Sequence, residues 1–209
     1  MQNDLPGKVN PSEANPLADP HPSGTSIPSV LWTIGHSTRH IEEFIGLLQT
    51  QGIQVLADVR MTPYSRRNPQ FHSEALAKSL ADAGIQYRHM PALGGRRKTR
   101  PDSVNVGWRN ESFRGYADYM QTREFWNALD DLMATAQRLS AAIMCAEAVP
   151  WRCHRTLISD ALVSRGWTVR HIISASSLQT HILTPFAKLE AGRLTYPAEG
   201  TQVSTLPLF

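Results

Sequence analysis

A regular alternation of short apolar runs and amphipathic segments between residues 29 and 184 constrains the fold of this 209-residue chain more than any other feature. Most of the apolar runs are apolar at consecutive positions, which is typical of strands buried on both faces. The segments between them repeat apolar residues at a spacing of about three to four, which is typical of helices that cover a sheet. The alternation therefore predicts an α/β domain built on a mostly parallel sheet.

The pattern predicts five strands and the helices that connect them. The strands are expected over 30–35, 53–60, 85–91, 141–147 and 168–174, and the helices over 40–52, 73–84, 113–120, 122–140 and 153–166. Because crossovers between parallel strands are right-handed, these elements favour a Rossmann-like three-layer sandwich. We expect its five-stranded sheet to have the order 3-2-1-4-5.

We expect a single domain over residues 29–184, preceded by a flexible tail over 1–28 and followed by a C-terminal extension over 185–209. The first segment contains six prolines and no apolar periodicity, so it cannot bury enough apolar area to offset its ordering entropy. The sequence has neither an apolar run long enough to span a bilayer nor a secretory signal at its start. We therefore expect a cytoplasmic protein with no membrane partner.

The basic residues are seventeen arginines and four lysines. The planar guanidinium group matches phosphate and carboxylate oxygens, so the excess of arginine indicates anionic ligands. Codon usage in a GC-rich genome would produce the same excess, and only the positions of the arginines distinguish the two explanations.

Ligands of open α/β sheets bind outside the carboxyl ends of the strands, so the residues after each predicted strand are the candidates for a functional site. Chemically versatile side chains cluster after four of these strands. The candidate catalytic residues are His36, Cys145, Glu147, Cys153 and His154, and the candidate substrate-binding residues are Ser37, Asp58, Arg60, Ser65, Arg66, Gly94, Gly95 and Arg155. The histidines expected to be structural or exposed are His40, His72, His89, His171 and His181.

The segment "CAEAVPWRCHR", residues 145–155, holds both cysteines of the chain. Cys153 is predicted at the start of a helix beside His154 and Arg155, where the helix dipole and the neighbouring cations favour a thiolate. Glu147 is close enough in sequence to accept a proton or to orient an imidazole. The segment therefore indicates an enzyme that uses a thiol or acid–base chemistry.

Other interpretations of the same segment remain open. Cysteine phosphatases and rhodaneses carry C-x5-R at such a loop, whereas Cys145 and Arg152 are spaced C-x6-R here. Cys145 is equally explained as a small buried hydrophobic residue of the strand. A metal ion held by Cys145, Cys153 and His154, with His36 or Glu147, is a further alternative, although the paired C-x2-C spacing of structural zinc sites is missing. We expect no other cofactor.

A module that binds nucleic acid or another anion without catalysis is the remaining alternative. Seven arginines could follow a phosphate backbone while two aromatic rings stack on bases: Arg60, Arg66, Arg67, Arg96, Arg97, Arg100 and Arg109, with Tyr64 and Trp108. The net charge of +3 is modest for that task. The chain has neither G-x-G-x-x-G after the first strand nor a Walker A motif, so NAD-dependent and P-loop chemistry are not expected.

Five blocks carry a family resemblance: "TIGHST", "ADVRMTPYSR", "ALGG", "FRGYADYM" and "CAEAVPWRCHR". In their order and spacing they resemble the DUF488 family of uncharacterised bacterial proteins over residues 31–173. The resemblance implies a Rossmann-like α/β domain with its site at these blocks, and it implies no particular reaction. Together with the strand-end residues it leads us to expect a hydrolase or transferase that acts on a small phosphorylated or nucleotide-like anion. The loop over 92–112, with hinges at Gly94 and Gly95, is expected to act as a lid.

Overall fold

The computed structural model describes residues 29–198. The tail expected over 1–28 lies outside the described residues, as does the end of the expected extension, 199–209. The strands are β1 Val30–Gly35, β2 Val55–Asp58, β3 Gln86–His89, β4 Ala141–Cys145, β5 Thr168–Ser174, β6 Ser177–Thr180, β7 Lys188–Glu190 and β8 Arg193–Thr195. The helices are α1 Ile41–Thr50, α2 Ser73–Asp82, α3 Glu111–Tyr119, α4 Arg123–Ala136 and α5 Arg155–Ser164.

The central sheet confirms the predicted α/β class with mostly parallel strands, but it differs from the prediction in size and order. It has six strands in the order β3-β2-β4-β1-β5-β6, and only β6 is antiparallel to its neighbour. The predicted order 3-2-1-4-5 is therefore wrong, because β4 lies between β2 and β1.

The composition of β4 suits an interior strand, but it is equally consistent with the predicted order, in which β4 also has two neighbours. Every residue of its "AAIMC" is buried, which suits a strand flanked on both edges and covered on both faces. The sequence did not predict the sixth strand, because its "SLQT" is mostly polar and exposed. This composition is typical of an edge strand, and β6 pairs with β5 in an antiparallel hairpin.

Helices cover both faces of the sheet, and alternate residues of β4 face opposite layers. Ala142 and Met144 pack with apolar residues of α1 and α2. Ile143 and Cys145 pack with apolar residues of α3, α4 and α5. The side chain of Cys145 is therefore directed toward the layer that contains α5.

The segment after β6 packs against the second of these layers. Strands β7 and β8 form a separate antiparallel hairpin, and Leu194 and Tyr196 are buried with the residues of α3, α4 and α5. The backbone N–H of Tyr196 donates to Asn105 Oδ1 at 3.0 Å, which ties this segment to the loop before α3.

The loop over 92–112 is anchored at its centre by the buried carboxylate of Asp118. That carboxylate accepts hydrogen bonds from the Arg100 backbone N–H at 2.9 Å, Ser103 Oγ at 2.6 Å and Asn105 Nδ2 at 2.8 Å. Three donors on one buried carboxylate give the loop a defined conformation although its residues 94–110 form neither helix nor strand.

Candidate active site

A cavity of about 590 Å³ lies at the carboxyl ends of β1, β2 and β4, three neighbouring strands in the middle of the sheet. Its lining includes eight of the predicted site residues: His36, Arg60, Ser65, Gly95, Cys145, Glu147, Cys153 and His154. Five others do not line it: Ser37, Asp58, Arg66, Gly94 and Arg155. The lining also includes Ser112 and Phe113 from the start of α3, which strand-end reasoning missed because they follow a loop rather than a strand.

The two cysteine sulfur atoms are in contact at one wall of this cavity. Cys145 Sγ and Cys153 Sγ are 3.1 Å apart, and the two residues are 2% and 7% exposed. Cys153 precedes the N-cap of α5, so its backbone lies just outside the helix rather than in the first turn that the sequence predicted. The strand end and the helix start together bring the two thiols face to face.

The two thiols differ in acidity. Burial by itself raises the pKa of Cys153, but the hydrogen bond from Cys145 and the adjacent Arg155 guanidinium outweigh it and lower the pKa to about 6. Arg155 donates to Cys153 Sγ from its backbone N–H at 3.4 Å and from Nε at 3.2 Å. Burial raises the pKa of Cys145 well above its ordinary value. These contacts favour the thiolate at Cys153, with Cys145 as the neutral thiol that donates to it.

Arg155 is 1% exposed and directs its remaining donors into the protein. Nη2 donates to the carbonyl oxygens of Glu147 at 2.6 Å and Ala148 at 3.3 Å. Nη1 lies 3.4 Å from Thr33 Oγ1. The guanidinium group thus faces the thiolate and the loop after β4, and it is not part of the cavity lining.

Behind Arg155 a chain of buried polar groups leads to a carboxylate in α5. Thr33 Oγ1 is 2.7 Å from His171 Nδ1, and His171 Nε2 is 3.0 Å from His181 Nδ1. His181 Nε2 is 2.8 Å from Asp160 Oδ1. The sequence predicted both histidines only as structural or exposed, because nothing in their spacing shows that β5 and the segment after β6 bring their rings together.

The donors of this chain can be assigned from its two ends. The Asp160 carboxylate only accepts, so His181 donates from Nε2 and accepts at Nδ1 from His171 Nε2. Arg155 only donates, so the Thr33 oxygen accepts from it and the Thr33 hydroxyl donates to His171 Nδ1. Burial, with the neighbouring His181 and Arg155, lowers the pKa of His171 to about 3, in agreement with a neutral ring. Every hydrogen bond of the chain therefore points from the cation to the carboxylate.

Asp58 and Arg60 form a buried ion pair at the end of β2. The guanidinium group donates to the carboxylate from Nε at 2.8 Å and from Nη2 at 2.6 Å, and the Tyr87 hydroxyl also donates to Asp58 at 2.8 Å. Asp58 is fully buried, and Arg60 is 7% exposed. The carboxylate thus orients the arginine, whose Nη1 lies 3.4 Å from His36 Nε2 on the cavity wall.

His36 is a neutral imidazole with a defined tautomer. Because Arg60 Nη1 can only donate, His36 Nε2 is the acceptor and Nδ1 donates to the Ser37 carbonyl oxygen at 2.8 Å. Burial, and to a lesser extent the charge of Arg60, lowers its pKa to about 4. The ring stacks on Phe71 with centroids 4.3 Å apart, which holds its plane.

His154, which also lines the cavity, has a defined tautomer. Its Nε2 donates to the Val59 carbonyl oxygen at 3.0 Å, so Nδ1 retains a lone pair. Burial, with the nearby charges of Arg155 and Arg97, lowers its pKa to about 4. A Cβ added to Gly95 would lie 2.9 Å from this Nδ1, so glycine is needed for the approach of the loop.

Two further glycines of the site lie where the backbone passes too close to other atoms for a side chain to fit. A Cβ on Gly94 would lie 2.8 Å from the Pro91 carbonyl oxygen, and one on Gly35 would collide with the Glu147 carbonyl oxygen. Ser37, next to His36, has a positive φ of 48°, a strained conformation for a residue other than glycine. The hinge role expected for Gly94 and Gly95 remains a prediction, whereas their close contacts account for both glycines.

Charged side chains surround the mouth of the cavity. Arg96, Arg152 and Glu147 are exposed and line it, and neither arginine forms a salt bridge to another residue of the described range 29–198. Ser65 lies on the same lining and is held by hydrogen bonds to Asn68 and His72. Arg66 is exposed outside the lining.

Neither a metal-binding cluster of side chains nor a membrane-spanning helix occurs in the described residues 29–198. Within residues 29–198, no three His, Cys, Asp or Glu side chains are grouped so that they could hold a metal ion. The part of the chain that the structure describes contains no helix long and apolar enough to cross a bilayer.

One comparison with known proteins gives a match. The family model described as a domain of unknown function, DUF488, matches residues 40–162, a shorter range than the 31–173 of the resemblance. The matched range contains the Asp58–Arg60 pair, both cysteines and Asp160, and it omits β1 with His36. No curated protein and no solved structure matches the chain.

Proposed function

Since the chain belongs to the DUF488 family, a family whose description assigns no activity, we propose a function from the site itself. The protein is an enzyme of the hydrolase or transferase type that acts on a small phosphorylated or nucleotide-like anion, with Cys153 as nucleophile. The observation that carries this proposal is the placement of Cys153 Sγ, which accepts from Arg155 Nε and the Arg155 N–H and borders the cavity.

The cavity suits an anion with an aromatic or planar portion. Its volume of about 590 Å³ lies within the range of small-molecule sites. Arg96 and Arg152 at the mouth supply fork-shaped donors for phosphate oxygens. Tyr64 and Phe113 on the same lining offer ring surfaces for a base.

The proposed reaction begins with attack of the Cys153 thiolate on the electrophilic atom of the substrate. A bond from sulfur to that atom forms as the bond to the leaving group breaks, and the leaving group departs with the electron pair and takes a proton from water. Water or an acceptor then attacks the covalent intermediate, His154 Nδ1 takes the proton, and the sulfur leaves as thiolate. Arg60 Nη1, which lies 3.4 Å from the acceptor His36 Nε2, would donate to the anionic substrate oxygens from the other wall.

The nucleic-acid alternative receives less support from the positions of its residues. The Trp108 ring packs against Phe113, Phe186 and Tyr196 instead of facing solvent. Arg60 is paired with Asp58 in the interior. The metal alternative lacks a third ligand beside the two cysteines among residues 29–198.

Alkylation of Cys153 by iodoacetamide tests this proposal. We expect a rate that rises with a midpoint near pH 6 and that phosphate or a nucleoside monophosphate slows. The Arg152→Gln variant should lose most of this protection. Arg165→Gln, which changes an exposed arginine after α5 that does not line the cavity, should keep it. A midpoint near the ordinary value for cysteine, with no effect of any of these anions, would overturn the proposal.

A further inference from the structure

The nucleophile proposed above leaves the second thiol, Cys145, without a chemical task. Its sulfur is 3.1 Å from Cys153 Sγ and lines the same cavity. These are the two cysteines of the entire sequence, so an intramolecular reaction between them has no competing thiol in the chain. A pair in which one thiol is a thiolate held by a cation and the other is a neutral neighbour is suited to peroxide chemistry.

We propose that a hydroperoxide reacting with Cys153 converts the pair into a reversible intramolecular disulfide, with Cys145 as the resolving cysteine. The inference goes beyond the proposed function: it uses the same thiolate, but neither the anionic substrate nor its transfer. The peroxide reaches Cys153 through the cavity that both sulfur atoms line.

The geometry requires little movement for the bond to form. A disulfide has sulfur atoms about 2.05 Å apart, so the pair must close by about 1 Å from its observed separation. Cys145 is held in the central strand β4, whereas Cys153 follows a short turn over Pro150–Arg152 and precedes α5. We therefore expect the turn before α5 to move when the disulfide forms, while the sheet stays in place.

The reaction balances in two steps. In the first, the Cys153 thiolate attacks one peroxide oxygen, the O–O bond breaks, Cys153 becomes a sulfenic acid, and the other oxygen leaves as alcohol or water after taking a proton. In the second, Cys145 loses its proton as its sulfur attacks the Cys153 sulfur. The S–S bond forms, the S–O bond breaks, and the departing hydroxide takes that proton to become water. The pair is oxidised by two electrons, and the peroxide is reduced by two.

The surroundings of the pair favour a disulfide that is easily reduced. Arg155 is 1% exposed, and the Cys153 thiolate is the anion that its Nε faces. Formation of the disulfide removes this anion and leaves the buried guanidinium group with neutral acceptors only. Stabilisation of the reduced thiolate makes a disulfide more oxidising, so a dithiol reductant is expected to restore the pair.

The test uses the full chain, reduced and then freed of reductant without oxygen. We expect hydrogen peroxide at neutral pH to remove both free thiols while one equivalent is consumed, with a mass loss of two hydrogen atoms. Peptide mapping should show a disulfide between residues 145 and 153, and the oxidised protein should run as a monomer on a non-reducing gel. Dithiothreitol should restore both thiols. Retention of both thiols in excess peroxide, formation of a disulfide-linked dimer, or direct passage to a sulfinic acid would overturn the inference.

Two variants separate the roles of the thiols. Cys145→Ser should still react with peroxide but stop at a sulfenic acid that dimedone traps, whereas Cys153→Ser should leave the Cys145 thiol unreactive. Circular dichroism checks the fold of each, and the wild-type mass measurement requires no variant. If the pair fails to form a disulfide while alkylation of Cys153 still shows its low midpoint and its protection by phosphate, this inference fails and the proposed function stands. If the disulfide forms but the alkylation of Cys153 shows neither the low midpoint nor protection by phosphate, the proposed function fails and this inference stands.

Discussion

Arg155 Nη1 lies 3.4 Å from the hydroxyl oxygen of Thr33, and this contact joins the thiol pair of the cavity to the buried carboxylate of Asp160. Thr33 belongs to β1 and Arg155 to the first turn of α5, so the link crosses from the sheet to a helix. The same arginine donates from Nε to Cys153 Sγ. The position of the guanidinium group, and with it the acidity of Cys153, therefore depends on residues that do not touch the cavity.

The Thr33→Val variant is expected to raise the pKa of Cys153. Valine keeps the shape of the side chain but removes the acceptor for Arg155 and the donor for His171, so the guanidinium group is less well held against the thiolate. We expect a rise of about 1 unit, or ~1.4 kcal/mol, measured from the pH dependence of alkylation. Thr33→Ser, which keeps the hydroxyl, should restore the wild-type midpoint. A merely destabilising substitution nearby, Val169→Ala in β5, should leave it unchanged.

The Arg155→Met variant is expected to shift the midpoint further. Without the guanidinium group, the burial of Cys153 is opposed only by the hydrogen bonds from Cys145 and from the backbone N–H of residue 155, and burial by itself raises the pKa of this thiol. We expect the alkylation rate at neutral pH to fall by about tenfold or more. Measurement of the rate up to pH 10 distinguishes a shifted midpoint from a thiol that has become inaccessible. An unchanged midpoint would contradict the role given to Arg155.

Asp160→Asn should destabilise the fold. The carboxylate is fully buried and accepts from His181 Nε2, Thr184 Oγ1 and the Tyr196 hydroxyl. An amide replaces one acceptor oxygen with a donor that faces other donors, which costs about 3 kcal/mol. Urea denaturation measures the change. The matched control is Asp130→Asn, since Asp130 is exposed and lies 4.0 Å from Arg165; its effect is expected to be below about 0.5 kcal/mol.

Two glycine substitutions are expected to have opposite signs. A Cβ on Gly35 would collide with the backbone carbonyl oxygen of Glu147, which cannot rotate away, so Gly35→Ala should lose about 3 kcal/mol or more of unfolding free energy. Gly46 is in α1 with nothing within 4 Å of the added atom, so Gly46→Ala should gain up to about 1 kcal/mol. Parallel urea titrations compare the two variants. Equal effects would contradict the close contact at Gly35.

Acid is expected to destabilise the protein through its buried neutral histidines. The folded pKa is about 4 for His36 and about 3 for His171, below the ordinary value of 6.5. Between pH 6.5 and these values the unfolded chain binds more protons than the folded chain, so the free energy of unfolding falls as pH falls. Each such histidine contributes a slope of about 1.4 kcal/mol per pH unit in this window.

Urea titrations between pH 7 and pH 5 measure this slope before most carboxylates titrate. The His171→Asn variant should show a slope that is smaller by the contribution of one histidine. This difference in slope is expected even if the free energy of unfolding at pH 7 is also lower. A slope that is the same in the wild type and the variant would show that His171 is protonated in the folded state.

The site could be predicted from the sequence to the extent that it consists of strand ends. His36, Arg60 and Glu147 each follow a strand, and Cys145 is the last residue of one. Parallel strands end at one edge, so the shared cavity of these residues follows from local pattern. The link from Thr33 to Asp160 could not be predicted in this way. Its members are far apart in the chain, and no spacing rule relates a threonine in β1 to histidines in β5 and after β6.

The sequence by itself determined the class of the fold and the approximate extent of its helices and parallel strands, because apolar periodicity reports which faces are buried. Only the tertiary structure decided that β4 lies between β2 and β1, since a strand buried on both faces carries no mark of its neighbours. It also decided the roles within "CAEAVPWRCHR". The two sulfur atoms meet because the end of β4 and the start of α5 converge, and the acidity of Cys153 arises from burial, Cys145 and Arg155 acting at distances that no linear pattern contains.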